Sequence, residues 1–211
     1  MHSSFITPIL LIICLLVRPT FTNPILPPLP SIIIPRACAV ERPSYISFIE
    51  KQDPNRSGIN GTYFISWKDP SVVSGRPIPT GLDIDAFVQF SNIPTNAWGC
   101  QLELFFPKGY WALLGLPGGI NKLNIYRVWN PVPPNVNWNT APSPAYLFGS
   151  TSQLPADQPL SQDVKIVINS ATCQPTMTFR VAIPSEVNRG GVEFWRDSIF
   201  PDAGFRLTHN C

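Results

Sequence analysis

Residues 99–107, GCQLELFFP, carry the clearest structural pattern in this chain. Cys100, Leu102, Leu104 and Phe106 alternate with other side chains, among them a glutamine and a glutamate. Residues two positions apart lie on the same face of a β-strand, so this pattern predicts a strand with one apolar face and one polar face. The apolar face belongs in a core, and the proline at position 107 ends the strand.

The same alternation recurs along the chain. It groups Tyr63, Ile65 and Trp67; Ile84, Ala86, Val88 and Phe90; Val164, Ile166 and Ile168; Met177, Phe179 and Val181; and Phe205 and Leu207. The 25 prolines and 13 glycines interrupt every helical repeat. About eight to ten short strands separated by turns predict an all-β fold, an antiparallel, jelly-roll-like β-sandwich with long loops.

The amino terminus is typical of a secretory signal. Residues 9–17 (ILLIICLLV) form an apolar run that is too short to cross a membrane but suits a signal peptide covering residues 1–22. We therefore expect a secreted, extracellular protein without stable membrane insertion. Arg18 directly follows the run, so an uncleaved anchor is the alternative. Residues 23–37 are predicted to form a proline-rich extended leader, and residues 38–211 a single β-sandwich domain.

The cysteines predict two disulfides. Removal of the signal takes Cys14 away and leaves Cys38, Cys100, Cys173 and Cys211 in an oxidising compartment. Four cysteines allow three pairings. We favour Cys38–Cys211 with Cys100–Cys173, because the first and last strands of a sandwich often pair. The cysteines are scattered and lack a CxxC spacing, so no metal site is predicted.

Two N-glycosylation sequons lie in one polar turn between predicted strands. They are residues 55–57 (NRS) and 60–62 (NGT). In a secreted chain, this placement predicts glycans on Asn55 and Asn60.

Charge and composition exclude several classes of function. Charged residues make up 13% of the chain and the net charge is +2, with no basic cluster, so nucleic-acid binding is not expected. His209 is the one histidine that remains after signal removal, and we interpret it as structural. The sequence carries no nucleophile motif and no signature for a cofactor, so we expect no catalytic residue and no cofactor.

Several carboxylates leave a catalytic function open as the alternative to a non-catalytic protein. Asp83 and Asp85 project from the same face of a predicted strand, and Glu103 or Glu193 could supply a distant partner. Glycosidases use two such carboxylates, one of them protonated in an apolar setting. We favour a solvated outer face for the two aspartates and keep a glycosidase-like enzyme as the alternative.

Aromatic residues in the loop-rich middle of the chain suggest a ligand platform, formed by Tyr110, Trp111, Tyr126, Trp129 and Trp138. Exposed aromatic rings stack on the C–H faces of sugars, whereas buried rings pack over a core. The expected partner is a glycan or another component of the cell wall or cell surface. The sequence specifies no protein partner.

Four segments, taken in order, resemble the fungal "ubiquitin 3 binding protein" C-terminal domain, the But family. They are residues 99–107 (GCQLELFFP), 139–149 (NTAPSPAYLFG), 171–181 (ATCQPTMTFRV), and the closing pair 191–195 (GVEFW) and 204–211 (GFRLTHNC). The likeness spans residues 38–211, although residues 201–204 (PDAG) stand where the family has a different turn.

This resemblance implies a small secreted β domain without assigned catalytic residues. The family takes its name from a partner in ubiquitin-like conjugation, a cytosolic activating enzyme. An interaction module for such an enzyme is therefore a further alternative, which conflicts with the predicted secretory signal.

Overall fold

The computed structural model describes residues 38–71, 81–155 and 159–211, so the predicted signal and leader lie outside the described residues. Within these ranges there is no helix. The strands are β1 (Ala39–Glu41), β2 (Tyr45–Glu50), β3 (Tyr63–Asp69), β4 (Leu82–Ser91), β5 (Cys100–Phe106), β6 (Leu114–Gly115), β7 (Asn124–Val128), β8 (Tyr146–Ser150), β9 (Val164–Ala171), β10 (Thr176–Ala182), β11 (Gly190–Trp195) and β12 (Gly204–His209).

The strands form two antiparallel sheets. The smaller sheet has the order β1-β12-β5-β9, and the larger has the order β6-β11-β3-β4-β10-β7-β8, with β2 paired to β4. Every described pairing is antiparallel. The predicted all-β sandwich is therefore confirmed. The strand count exceeds the expected one partly because β1 and β6 are very short.

The main core lies between the two sheets. Leu102 and Leu104 of β5 face Val88 and Phe90 of β4 within one apolar cluster, and all four side chains are fully buried. The alternation of residues 99–107 therefore marks the inner face of the smaller sheet, as predicted. Burial of each such side chain stabilises the fold by about 1.5–3 kcal/mol.

Strand β3 contributes Phe64 to this core, and not the residues whose alternation is clearest in the sequence. Phe64 and Ser66 are fully buried, whereas Tyr63 is exposed and Ile65 and Trp67 are half-buried. Phe64 stacks on Phe194 with ring centroids 4.4 Å apart. This aromatic contact across β3 and β11 fixes the orientation of the strand.

Both favoured disulfides are present. Cys38–Cys211 joins the chain segments that flank β1 and β12, which pair with Ala39 opposite His209. Cys100–Cys173 joins the start of β5 to the connection between β9 and β10. Two disulfides indicate that the domain folds in an oxidising environment.

The loop between β7 and β8 covers part of the outer face of the larger sheet. Val132 and Val136 from this loop pack on Ile49 and Phe87 in a second apolar cluster, with Trp138 at its margin. The loop is joined to the sequon turn by hydrogen bonds from Gly58 N to Val136 O (2.9 Å) and from Asn139 N to Pro54 O (3.3 Å). These contacts hold Trp138 against the sheet.

Candidate ligand-binding cleft

A cleft of about 370 Å³ opens on the outer face of the larger sheet, beside the loop that carries Trp138. We call it the outer-face cleft. Its charged and aromatic side chains are Asp83 and Asp85 from β4, Arg180 from β10, Tyr126 from β7, Lys68 from β3, and Lys51 and Trp138 from loops.

Strand register explains why these residues meet. Arg180 lies opposite Phe87 on one neighbouring strand and opposite Tyr126 on the other, so the three side chains form a row across the outer face. Asp85 lies two positions before Phe87 and shares its face. The side chains of Asp85, Tyr126 and Arg180 therefore lie together on the outer face of the sheet, away from the core.

Asp85 and Arg180 form a buried ion pair at the base of the cleft. Nε and one Nη atom of Arg180 each lie 2.7 Å from Asp85 Oδ2. Asp85 is only 6% exposed, and this burial raises the pKa of its carboxyl, while the Arg180 guanidinium acts in the opposite direction. The Arg180 guanidinium carbon also lies 5.0 Å from the ring centroid of Trp138.

The two lysines differ in their surroundings. Lys51 Nζ lies 3.7 Å from Asp83 Oδ2 and 6.0 Å from the Trp138 ring centroid. Lys68 Nζ donates a hydrogen bond to the backbone oxygen of Ser185 at 3.0 Å. The cleft therefore combines two aromatic rings with cations and carboxylates held in fixed positions, which is an arrangement suited to binding a polar ligand that also has an apolar face.

The four carboxylates proposed from the sequence do not form one cluster. Asp83 and Asp85 meet in the cleft, but the expectation of a solvated face is wrong for Asp85, because the neighbouring loop and Arg180 bury it. Glu103 is fully buried in the smaller sheet, where it pairs with Arg206 and Lys165.

Glu193 also lies away from the cleft, on β11. Burial of Tyr63 raises the pKa of its hydroxyl, and the hydrogen bond that this hydroxyl donates to Glu193 acts in the same direction.

The five aromatic residues do not form one platform either. Tyr126 and Trp138 line the cleft, whereas Tyr110 is fully buried and hydrogen-bonded to the backbone of Trp195. The proposed ligand role of Tyr110 is therefore wrong, because its ring completes the core.

The two remaining members of the predicted platform are exposed but lie outside the cleft. Trp111 is 48% exposed and meets Trp195 edge-on at 5.3 Å. Trp129 is 62% exposed and contacts Tyr146, with ring centroids 5.7 Å apart.

Both predicted glycosylation sites are exposed in the turn between β2 and β3. Asn55 Oδ1 accepts a hydrogen bond from Asn139 Nδ2 at 2.9 Å, and Asn60 Oδ1 accepts one from Ile46 N at 3.1 Å. His209, in contrast, is 1% exposed, and its Nε2 lies 3.1 Å from Glu41 Oε1. This contact links β1 to β12.

Sequence reasoning missed Lys51, Lys68 and Arg180. Arg180 carried a usable signal, since it occupies an outward position between Phe179 and Val181, the core residues of its strand. The two lysines carried none, because single exposed lysines are common on protein surfaces.

In comparisons with known proteins, no family model matches the chain, and no curated protein is significantly similar to it. Among the residues that the structure describes, no helix is long and apolar enough to cross a membrane. No group of three or more potential metal ligands occurs in the same ranges.

Proposed function

We propose that this protein is a secreted, non-catalytic β-sandwich that binds a glycan of the cell wall or cell surface in the outer-face cleft. The observation that carries this proposal is the convergence of Tyr126 and Trp138 with the paired Asp85 and Arg180. Aromatic rings contact the C–H faces of a sugar, and fixed carboxylate and guanidinium groups bond its hydroxyls.

Several features support an extracellular location. The chain begins with a predicted signal peptide, its domain contains two disulfides, and both sequons are exposed. The resemblance to the But family adds support for a small secreted β domain. The chain purified from culture medium is expected to lack residues 1–22 and to carry glycans on Asn55 and Asn60, which intact-mass measurement would detect.

Binding to an oligosaccharide array, followed by calorimetric titration of the best ligand, tests the proposed site. We expect Trp138→Ala and Tyr126→Ala each to weaken binding by about tenfold or more, which corresponds to about 1.4 kcal/mol. Trp98→Ala is the matched control, because Trp98 is 58% exposed but does not line the cleft.

Thermal unfolding of each variant separates loss of the site from loss of the fold. Trp138 contacts the second apolar cluster and its removal can lower stability, whereas Tyr126 is the safer substitution. Binding that survives both cleft substitutions, or that is lost with Trp98→Ala alone, contradicts the proposal.

A glycosidase-like enzyme is the second candidate. It is favoured by the position of Asp83 and Asp85 in one cleft and by the burial that raises the pKa of Asp85, as in a general acid. Against it, Arg180 pairs with Asp85 and favours the ionised form. Release of reducing sugar from a bound oligosaccharide, abolished in Asp85→Asn, would establish this candidate in place of the first.

An interaction module for a ubiquitin-like activating enzyme is the third candidate, carried by the family resemblance alone. It requires the chain to reach the cytosol. Recovery of the disulfide-bonded, glycosylated chain from the medium would count against it.

A further inference from the structure

The cations of the outer-face cleft outnumber its carboxylates. Arg180 is paired with Asp85 at 2.7 Å, and Lys51 lies 3.7 Å from Asp83. Lys68 has no ion-pair partner among the described residues, and its ammonium donates to the Ser185 carbonyl oxygen at 3.0 Å. An ammonium has three N–H donors, so donors of Lys68 remain free for a ligand.

Asp69 follows Lys68 in the sequence and Glu186 follows Ser185, and both carboxylates contact other groups. Asp69 is buried and accepts hydrogen bonds from Ser71 and Arg189. The Glu186 carboxylate contacts the Ser185 hydroxyl at 3.4 Å and forms no described ion pair with Lys68. Asp83 lies opposite Lys68 in the strand register, but its described ion pair is with Lys51, so three cations share two carboxylates in the cleft and one positive charge is left over.

Lys68 also lies between two cavities. A second cavity, of about 230 Å³, adjoins the cleft and shares Lys68 and Asp83 with it. Its wall includes the polar side chains of Gln52 and Asn188. Gln52 is held in place, because its Oε1 accepts a hydrogen bond from Asp83 N at 2.8 Å.

We infer that the ligand is an acidic oligosaccharide that extends through both cavities and places a carboxylate or sulfate group on Lys68. This inference rests on the proposed glycan-binding function and specifies the class of glycan. A free inorganic anion would satisfy Lys68 but would leave the rings of Tyr126 and Trp138 unused. A neutral glycan would use the rings but leave the lysine charge uncompensated.

The test compares acidic oligosaccharides with uncharged counterparts of the same skeleton. The panel contains oligogalacturonides and their methyl esters, hyaluronan and sulfated chondroitin fragments, and neutral cello- and chito-oligosaccharides. We expect an acidic member to bind at least about tenfold more tightly than its uncharged counterpart at low salt. The preference should shrink in about 0.5 M NaCl, because salt screens the exposed charge of the lysine.

Lys68→Gln keeps a polar side chain of similar length but removes the charge. It is expected to abolish the preference for the acidic member, measured as the ratio of the dissociation constants of the uncharged counterpart and the acidic member. Lys108→Gln is the control, because Lys108 is exposed and lines neither cavity. An unchanged preference in Lys68→Gln would overturn the assignment of this lysine.

The outcomes separate the inference from the function on which it rests. Suppose that neutral and acidic members bind equally and that binding depends on Trp138 and Tyr126. The inference of an acidic ligand is then wrong, and the proposal of a glycan-binding cleft is retained. If no member of the panel binds, or if the affinity is unchanged in both Trp138→Ala and Tyr126→Ala, the cleft proposal fails together with the inference.

Discussion

At the scale of single residues, Arg180 organises the outer face of the larger sheet. It pairs with Asp85 at 2.7 Å, and its guanidinium lies 5.0 Å from the Trp138 ring centroid. Breaking a buried ion pair on one side leaves an uncompensated charge, which is costly, so each of these side chains holds the next in place. The result is a preorganised set of donors and acceptors, which lowers the entropy lost when a ligand binds.

Asp69 provides a residue-scale prediction about pH. Its carboxylate accepts hydrogen bonds from the Ser71 hydroxyl (2.6 Å) and backbone N–H (2.9 Å), and from Arg189 Nε (3.0 Å). These contacts hold the pKa of Asp69 below its usual value of 3.8. The ionised carboxylate therefore stabilises the fold above about pH 4, and this contribution is lost as the pH falls through the lowered pKa.

We expect the difference in unfolding free energy between the wild type and Asp69→Asn to shrink as the pH falls below about 4. Urea denaturation of both proteins across the acidic range measures this difference. A difference that stays constant would show that the ionisation of Asp69 does not contribute.

At the scale of elements, one disulfide supports a short strand pairing and the other joins the end of a long one. β1 has only three residues, and its pairing with β12 is supported by Cys38–Cys211, which closes a loop with a sequence separation of 173. Cys100–Cys173 closes a loop with a separation of 73 between longer strands. In the chain-entropy model, these links stabilise the fold by about 5 and about 4 kcal/mol.

Removal of the Cys38–Cys211 disulfide with Cys38→Ser and Cys211→Ser is expected to lower the unfolding free energy by about 2–5 kcal/mol. Amide exchange should also become faster in β1, because only three residue pairs and the Glu41–His209 contact then hold this short strand in place. The pair Cys100→Ala and Cys173→Ala is the comparison, and there β1 should keep its protection. Unchanged exchange in β1 after loss of Cys38–Cys211 would contradict this role.

The elements also show why sequence patterns predicted some strands better than others. β4 and β5 were predictable because their core side chains alternate with polar ones. β3 carries apolar side chains on both faces, so a period of two does not identify the inner face. The Phe64–Phe194 stack decides the orientation, and that contact joins residues 130 positions apart in the chain.

At the scale of the whole molecule, the site depends on which strands become neighbours. The alternation placed Asp83 and Asp85 outside the core, but only the sheet order brings Arg180 beside them, because it sets β10 between β4 and β7. The same order separates Glu103 and Glu193 from the aspartates. Trp138 reaches the cleft because its loop is fastened to the sequon turn. Such contacts between distant segments are not encoded in local patterns.

Fluorine NMR of the protein labelled with 5-fluorotryptophan tests whether an oligosaccharide binds in the outer-face cleft, because the chain has six tryptophans and Trp138 is the one that lines the cleft. Single Trp→Phe variants assign the six signals. On titration with the best-binding oligosaccharide, we expect the Trp138 signal to shift, while the signals of the exposed Trp98, Trp111 and Trp129 stay in place. A shift at Trp111 or Trp129 with an unmoved Trp138 signal would contradict this expectation.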